Sequence, residues 1–219
     1  MSIVDRCILL RYNKRDMRAA KAPNRNGVTI MEQKIKIKLT SRRREISDRL
    51  LKSLFETVLG EEQDDRAEEL FADNTINTEE DVIEMNTEGV LRLEDGRVEI
   101  AYEESELTGM EGANTSVSFT TEAPQLVTMM RGGTVTTALV FEPRRRHICA
   151  YHTPFMPFEI CVYASCVDNR LLQDGILELD YIIEIRGAQA ERTRFTMEIR
   201  TADEADPLPR PEIMLKNLQ

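Results

Sequence analysis

The stretch that decides the fold is Gly89–Tyr102, which reads GVLRLEDGRVEIAY and consists of two alternating apolar and polar runs joined by Asp95-Gly96. Strict alternation is typical of a strand with one buried and one exposed face. Asp-Gly between two such runs is a strong signal for a two-residue hairpin turn. We therefore predict strands over Val82–Leu93 and Arg97–Glu103 that form an antiparallel hairpin.

The same alternation continues on both sides of this hairpin. Lys34–Thr40 alternates strictly before it and predicts a first strand. Further runs of strand type follow the hairpin and are separated by turn residues. These predicted strands are Thr115–Thr121, Leu126–Arg131, Thr134–Phe141, His147–His152, Phe158–Ser165, Ile176–Arg186 and Arg192–Arg200.

A helical pattern interrupts the strands once. Apolar residues recur there at spacings of three and four, and Gly60 follows them as a stop signal. They are Ile46, Leu50, Leu51, Leu54, Phe55, Val58 and Leu59. We predict an amphipathic helix within a helical insertion over residues 44–80. Its polar face is mixed in charge rather than basic, which disfavours binding to a membrane surface. We therefore expect the helix to pack across an open barrel end.

The fold class predicted by these patterns is mainly β. Many antiparallel strands with one apolar face must bury their edges, and a closed or nearly closed antiparallel β-barrel does so. A two-sheet sandwich has the same periodicity, so the pattern alone leaves both open. We expect one domain over residues 33–201.

Charge is distributed unevenly along the chain. Residues 1–45 carry a net charge of +9 and the remainder −19. The basic segment, residues 1–32, is a nucleic-acid arm, an extension without a function of its own, or a segment that precedes a true start at Met31. The acidity of the rest disfavours nucleic acid as a partner. Residues 202–219 are acidic and Pro-rich and predict a flexible tail.

Membrane insertion and secretion are not indicated. No run of about 18 or more uncharged apolar residues occurs, as a membrane-spanning helix requires. The chain starts without a signal-peptide pattern. Four cysteines in 219 residues are too few for a disulfide scaffold. We therefore predict a cytoplasmic protein.

Several motifs resemble the bacterial YwiB-like family. They are the hairpin quoted above, the Thr115 strand, Met130-Arg131-Gly132, Phe141, Tyr151-x-Thr153-Pro154-Phe155, Phe158-Glu159 and Leu177-x-Leu179-x-Tyr181. The resemblance covers Lys34 to about Thr201 and implies a calycin-like, lipocalin-like small barrel domain of unknown function. It favours a barrel over a sandwich and implies no activity. Members tend to carry Gly after the Thr-Pro-aromatic step, where this chain has Met156-Pro157, so we expect that turn to be built differently.

Five residues that match the family pattern are candidates for ligand binding. They are Tyr102, Arg131, Tyr151, Thr153 and Tyr181. A small barrel has room inside for side chains or for one small ligand. An inward-pointing Arg131 must be paired, because a buried unpaired guanidinium is very costly. Tyrosine hydroxyls, Thr153, an acidic residue or an anionic ligand would satisfy it, so a structural role and a ligand-anchoring role both stay open.

The sequence predicts neither a cofactor nor a metal site. In His147-x-Cys149-x-x-His152, strand geometry places His152 on the face opposite to the other two residues, which disfavours a shared zinc ion. No nucleophile or nucleotide-binding motif is present. If the protein is an enzyme, its candidates are His152, Cys161 and Glu104, although Glu103-Glu104 is also typical of a solvated acidic rim.

Three functions are therefore compatible with the sequence. The first is a cytosolic β-barrel that binds a small anionic or amphipathic ligand in a cavity with an apolar wall and a few polar groups. The alternative is a protein–protein interaction or structural module with a filled barrel, partner contact through the helix or an edge strand, and an exposed apolar patch on the insertion. The third is an enzyme of unknown reaction. A homodimer is compatible with each of them.

Overall fold

The computed structural model describes residues 30–46, 80–105, 112–185 and 189–201. Every regular element in these ranges is a β-strand, and none of them contains a helix that would be long and apolar enough to cross a membrane. The strands are β1 (Ile30–Ile46), β2 (Asp81–Glu94), β3 (Arg97–Glu103), β4 (Asn114–Thr120), β5 (Val127–Gly132), β6 (Thr136–Phe141), β7 (Arg146–His152), β8 (Pro157–Arg170), β9 (Ile176–Ile185) and β10 (Gln189–Thr201). Each predicted strand overlaps one of these, so the mainly β prediction is confirmed.

The described strands form one closed antiparallel barrel. From β2 to β10, each strand pairs with the next one along the chain. The first strand closes the barrel because it pairs with β2 on one side and β10 on the other, so that Ile35 lies opposite both Gly89 and Thr201. This double pairing leaves neither sheet edge free and decides for the barrel over the sandwich.

The first strand is longer than the hydrophobic pattern predicted. It begins at Ile30, inside the predicted 1–32 extension, and ends at Ile46, inside the predicted 44–80 insertion. Residues 44–46 are therefore strand, and the prediction of an insertion from residue 44 is wrong for these three. The amphipathic helix beyond Ile46 and the tail over residues 202–219 lie outside the described residues.

The predicted β2–β3 hairpin is present. Asp95 and Gly96 have φ angles of 46° and 77°. Positive φ at both central residues is the conformation in which a two-residue turn matches the twist of its flanking strands. The hairpin register follows from this turn and places Gly89 opposite Tyr102.

One end of the barrel is filled by apolar side chains. Those that are almost completely buried there include Ile35, Ile37, Val98, Ile100, Val117, Val127, Phe141, Leu177, Leu179 and Met197. They alternate with exposed or half-buried residues along each strand, as the period-two pattern predicts. Since this end is packed, space for a ligand must lie toward the other end.

Candidate ligand-binding cavity

A cavity of about 300 Å³ lies inside the barrel, toward the end at which β1 finishes and β2 begins. Its apolar wall is formed by Leu39, Ile83, Met85, Leu139, Phe158, Ile160, Ile183, Ile185 and Phe195. Its polar lining is formed by Ser41, Arg43, Glu45, Tyr102, Glu104, Arg131, Thr137, Tyr151, Tyr181, Glu191 and Thr193. Within the described residues, the lining thus combines apolar side chains with a comparable number of polar ones, five of which are charged.

The strand register brings three of the predicted ligand residues into one row. Consecutive cross-strand partners on β3 to β7 are Tyr102, Thr115, Arg131, Thr137 and Tyr151. Directly opposite residues on neighbouring strands lie about 4.5–5.5 Å apart. Residues far apart in the sequence are therefore neighbours on the inner surface. At the end of the row, Tyr151 stacks on Phe158 with ring centroids 4.8 Å apart.

A fourth predicted residue, Tyr181, reaches the cavity from β9. Its ring packs against Phe141 with centroids 4.7 Å apart. Its cross-strand partner is Thr193 on β10, which lies opposite Arg43 on β1. A second row of inward side chains thus completes the polar lining.

Arg131 has an acidic partner inside the barrel. Its Nε lies 3.6 Å from Oε1 of Glu104, and the Thr115 hydroxyl donates a hydrogen bond of 2.7 Å to the same oxygen. The Glu104 side chain is 2% exposed and that of Arg131 is 21% exposed. A carboxylate therefore supplies the pairing that an inward arginine requires, although the distance is too long for a hydrogen bond to Nε.

A second ion pair of the same composition lines the cavity. Arg43 Nε lies 3.9 Å from Oε1 of Glu191, which accepts a 3.2 Å hydrogen bond from the Thr193 hydroxyl. Arg43 Nε also donates to the Ser41 hydroxyl at 3.5 Å. Both ion pairs therefore include a carboxylate that already accepts a hydrogen bond from a threonine.

Two buried donors at the cavity lack an acceptor. Among the described residues, neither the Tyr102 hydroxyl nor the Arg131 Nε has a hydrogen-bond partner, and solvent reaches neither atom. A buried polar group without a partner costs about 1–3 kcal/mol. At these two atoms the cavity has a hydrogen-bond donor without an acceptor in the part of the chain that the structure describes.

Burial raises the pKa of both cavity phenols. For Tyr102 the Glu104 charge raises the pKa further, while the Arg131 charge and the neighbouring Thr115 hydroxyl oppose the rise. Arg131 also opposes the rise for Tyr181. Because Arg131 acts on both phenols, the three side chains share one region of the cavity. Both phenols are protonated at neutral pH and are O–H donors.

Thr153, the fifth predicted residue, is not among the residues that line the cavity. It lies in the turn between β7 and β8, where its hydroxyl donates a 2.8 Å hydrogen bond to the carbonyl of Met156. The same oxygen accepts hydrogen bonds from the amides of Phe155 at 3.3 Å and Met156 at 3.2 Å. The threonine hydroxyl thus closes the turn in which related chains tend to have glycine.

The candidates for enzyme chemistry do not form one group. Glu104 lines the cavity and is 5% exposed, so the interpretation as a solvated rim is wrong for this residue. Cys161 alternates with cavity-lining Ile160 and faces outward, where burial and the nearby Glu184 raise the pKa of its thiol. A raised pKa lowers the thiolate fraction and disfavours a nucleophile. His152 is exposed.

The motif that contains His147 and Cys149 shows no metal-binding geometry. In the described ranges, no three His, Cys, Asp or Glu side chains are grouped so that they would hold a metal ion. His147 Nε2 lies 3.2 Å from Oε2 of Glu142, and Cys149 is buried as a free thiol.

Four charged members of the described cavity lining, Arg43, Glu45, Glu104 and Glu191, were not among the predicted ligand-binding residues, although Glu104 was a candidate for enzyme chemistry. Glu45 lay inside the predicted insertion. Glu104 continues the inward alternation of β3, which would have placed its side chain inside. Arg43 continues the alternation of β1, but its polar environment resembled the start of the helical insertion. Glu191 comes one residue before the predicted start of β10, so it lay just outside the predicted strand.

Together, the fold and this site define a closed ten-stranded antiparallel barrel, within the described residues, whose interior contains a partly polar cavity. The chain belongs to the family described as "Domain of unknown function (DUF1934)", whose model matches residues 72–197. This match confirms the resemblance to YwiB-like domains that the motifs indicated.

A solved structure is also similar, the crystal structure of ywiB protein from Bacillus subtilis. The two share 17% sequence identity at a TM-score of 0.49, and the similarity covers 78% of this chain and 94% of that chain. No curated protein matches the chain.

Proposed function

We propose that this barrel binds a small molecule in the internal cavity. The observation that supports the proposal is the coexistence of apolar side chains with two donors that make no hydrogen bond to the described residues, Tyr102 Oη and Arg131 Nε, in one cavity of about 300 Å³. This volume is at the lower end of the range for small-molecule pockets, which is about 300–1,000 Å³. The binding residues in this proposal are Tyr102, Arg131, Tyr151 and Tyr181; Thr153 is omitted because its hydroxyl is used in the turn.

The contrast between the two ends of the barrel supports the same proposal. The opposite end is packed by apolar side chains at near-zero exposure. A purely structural barrel would gain stability if its other end were filled in the same way, since empty space forfeits dispersion contacts. At the cavity end, charged and hydroxyl groups stand at inward positions instead, which favours recognition over packing.

Native mass spectrometry tests this proposal. Protein purified without denaturation from its own host, then incubated with a small-molecule extract of that host, is compared with the denatured chain. The variant Leu139→Trp places an indole in the cavity, and the control Met130→Trp places the same group at an exposed position of β5. Since the chain has no tryptophan, each variant also provides a single fluorescent reporter.

We expect an additional mass on the wild type and on Met130→Trp that is absent from folded Leu139→Trp. The same additional mass on all three proteins would place the ligand elsewhere. No additional mass on any of them would contradict small-molecule binding under these conditions and favour the alternative below.

Protein–protein association is the second candidate, because one exposed apolar group favours it. Phe155 and Met156, which are adjacent in the β7–β8 turn, are 96% and 63% exposed. Neighbouring exposed apolar side chains are typical of interaction surfaces. A homodimer formed through this turn would become monomeric in Phe155→Ser, as measured by sedimentation velocity.

The proposal also includes a calycin-like fold and a cytoplasmic location. The calycin-like assignment is supported by the up-and-down order of the strands around an interior cavity. The cytoplasmic location is supported by the three described cysteines, Cys149, Cys161 and Cys166, which are all free thiols. Fractionation of host cells tests the location.

A further inference from the structure

We propose that the ligand is an amphipathic monocarboxylate whose carboxylate is bound by the Arg131 guanidinium and the Tyr102 hydroxyl. This inference rests on the proposed function, since it names the chemical class of the molecule in the cavity.

Both cavity groups that lack a hydrogen-bond partner within the described ranges are donors. Tyr102 Oη and Arg131 Nε both carry a hydrogen to donate, and neither has an acceptor among the described residues. Glu104 and Glu191 each accept one hydrogen bond already, from Thr115 and Thr193, and keep further lone pairs. A ligand that satisfies Tyr102 Oη and Arg131 Nε must offer acceptor oxygens.

The charged groups of the cavity favour a ligand with a single negative charge. The ion pair between Arg131 and Glu104 is long, at 3.6 Å, and leaves Nε without a hydrogen bond. A guanidinium presents a planar fork of donors that matches a carboxylate better than a single carbonyl. The described lining contains two arginines, Arg43 and Arg131, and three glutamates, Glu45, Glu104 and Glu191, so a second negative charge on the ligand would be repelled by these carboxylates. A monoanion fits these two conditions, whereas a phosphate monoester does not.

The apolar side chains of the cavity indicate that the remainder of the ligand is apolar. Besides its polar groups, the cavity is lined by apolar side chains that include Leu39, Met85, Leu139, Ile160 and Phe195. Burial of apolar ligand surface against such side chains stabilises a complex because that surface is removed from water. The ligand therefore joins one carboxylate to an apolar body small enough for about 300 Å³.

The test uses four probes with one tail and different polar ends: n-octanoate, n-octanol, n-octylammonium and n-octyl phosphate. Their binding to the full chain is measured by titration calorimetry at neutral pH. We expect octanoate to bind roughly tenfold to hundredfold more tightly than octanol, which is the range for hydrogen bonds that involve charged groups. Octylammonium and octyl phosphate are expected to bind more weakly than octanoate.

Variants assign the contact to particular residues. Arg131→Gln is expected to weaken octanoate roughly tenfold to hundredfold and to leave octanol unchanged, and Tyr102→Phe to weaken octanoate about threefold to tenfold. The matched control is Arg146→Gln, which breaks the outward-facing pair between Arg146 and Glu184. That pair has similar exposures, 20% and 7%, so its loss tests for general destabilisation. Circular dichroism checks that each variant folds, and Tyr102→Phe still tests the contact if Arg131→Gln does not fold.

The outcomes separate the two proposals. Octanol or octylammonium binding as tightly as octanoate, in wild type and Arg131→Gln alike, would overturn the monocarboxylate class while cavity binding stands. An equal loss in Arg146→Gln would also overturn it, because the effect would then be structural. If no probe binds, the class is overturned, and the proposed function survives only if native mass spectrometry still shows a ligand that Leu139→Trp excludes.

Discussion

Arg131 and Glu104 face each other across one intervening strand, with Arg131 Nε 3.6 Å from Glu104 Oε1. The arginine lies on β5 and the glutamate follows the end of β3. Thr115, on the intervening strand β4, donates a hydrogen bond to the Glu104 carboxylate. The pair is thus built by the register of three strands. Its incompleteness, a guanidinium whose Nε has no acceptor among the described residues, distinguishes it from an ordinary structural ion pair.

The contributions of Arg131 and Glu104 to the free energy of unfolding should be coupled. Arg131→Met leaves a nearly buried carboxylate without its cation, so we expect the free energy of unfolding to fall by about 1–3 kcal/mol. Glu104→Gln should have a similar cost, and the double variant should cost less than the two single costs together by about 0.5–3 kcal/mol. Urea unfolding measures all three. Additive costs would show that the pair contributes no coupling. Arg170→Met, which removes an arginine from a solvent-exposed ion-pair network, is the control and is expected to change stability less than Arg131→Met.

High pH should destabilise the barrel through its buried phenols. Burial raises the native pKa of Tyr102 above the ordinary value of 10.0. A raised native pKa means that the stabilisation is present below pH 10 and is lost as pH rises through the native pKa. The free energy of unfolding should therefore fall less steeply above pH 10 in Tyr102→Phe than in wild type. Phenolate absorbance checks the cause: a Tyr102 contribution that titrates in the folded protein near pH 10 would contradict it.

Gly89 should be intolerant of a side chain. A Cβ at this position would lie 2.5 Å from Cδ1 of Ile37 and 2.7 Å from the carbonyl oxygen of Ala101. The backbone oxygen cannot move without disturbing the β2–β3 ladder, so Gly89→Ala should cost about 1–3 kcal/mol. At Gly132 the nearest atom, the carbonyl oxygen of Asn114, is 4.0 Å away. Gly132→Ala is therefore the matched control, expected to change stability by about 0.5 kcal/mol or less in urea unfolding. Equal costs would show that the close approach at Gly89 is relieved by a shift of the strands.

Thr153 should matter for the turn and not for the cavity. Thr153→Ala removes the hydroxyl that bonds Met156 and the amide of Phe155, at an expected cost of about 0.5–1.5 kcal/mol. Thr153→Ser retains the hydroxyl and should recover most of the loss. Octanoate affinity of both variants should equal that of wild type. A selective loss of affinity in Thr153→Ala would instead return this residue to the ligand site.

The sequence by itself determined the local structure of the barrel. Alternation of apolar and polar residues depends only on neighbouring positions, so it indicated every described strand, and Asp95-Gly96 specified the hairpin through its tolerance of positive φ. The family motifs supply the ligand-binding candidates Tyr102, Arg131, Tyr151, Thr153 and Tyr181, and the sequence leaves open whether Arg131 points inward.

Only the tertiary structure decided between a barrel and a sandwich, because closure depends on the pairing of β1 with β10, the two strands farthest apart in the chain. It also decided which charges meet. Arg43 and Glu191 are brought together from opposite ends of the domain by that same pairing, and Glu104 reaches Arg131 across β4. Such contacts depend on the register between strands, which sets neighbours across the sheet and leaves no periodic trace in the sequence of any single strand.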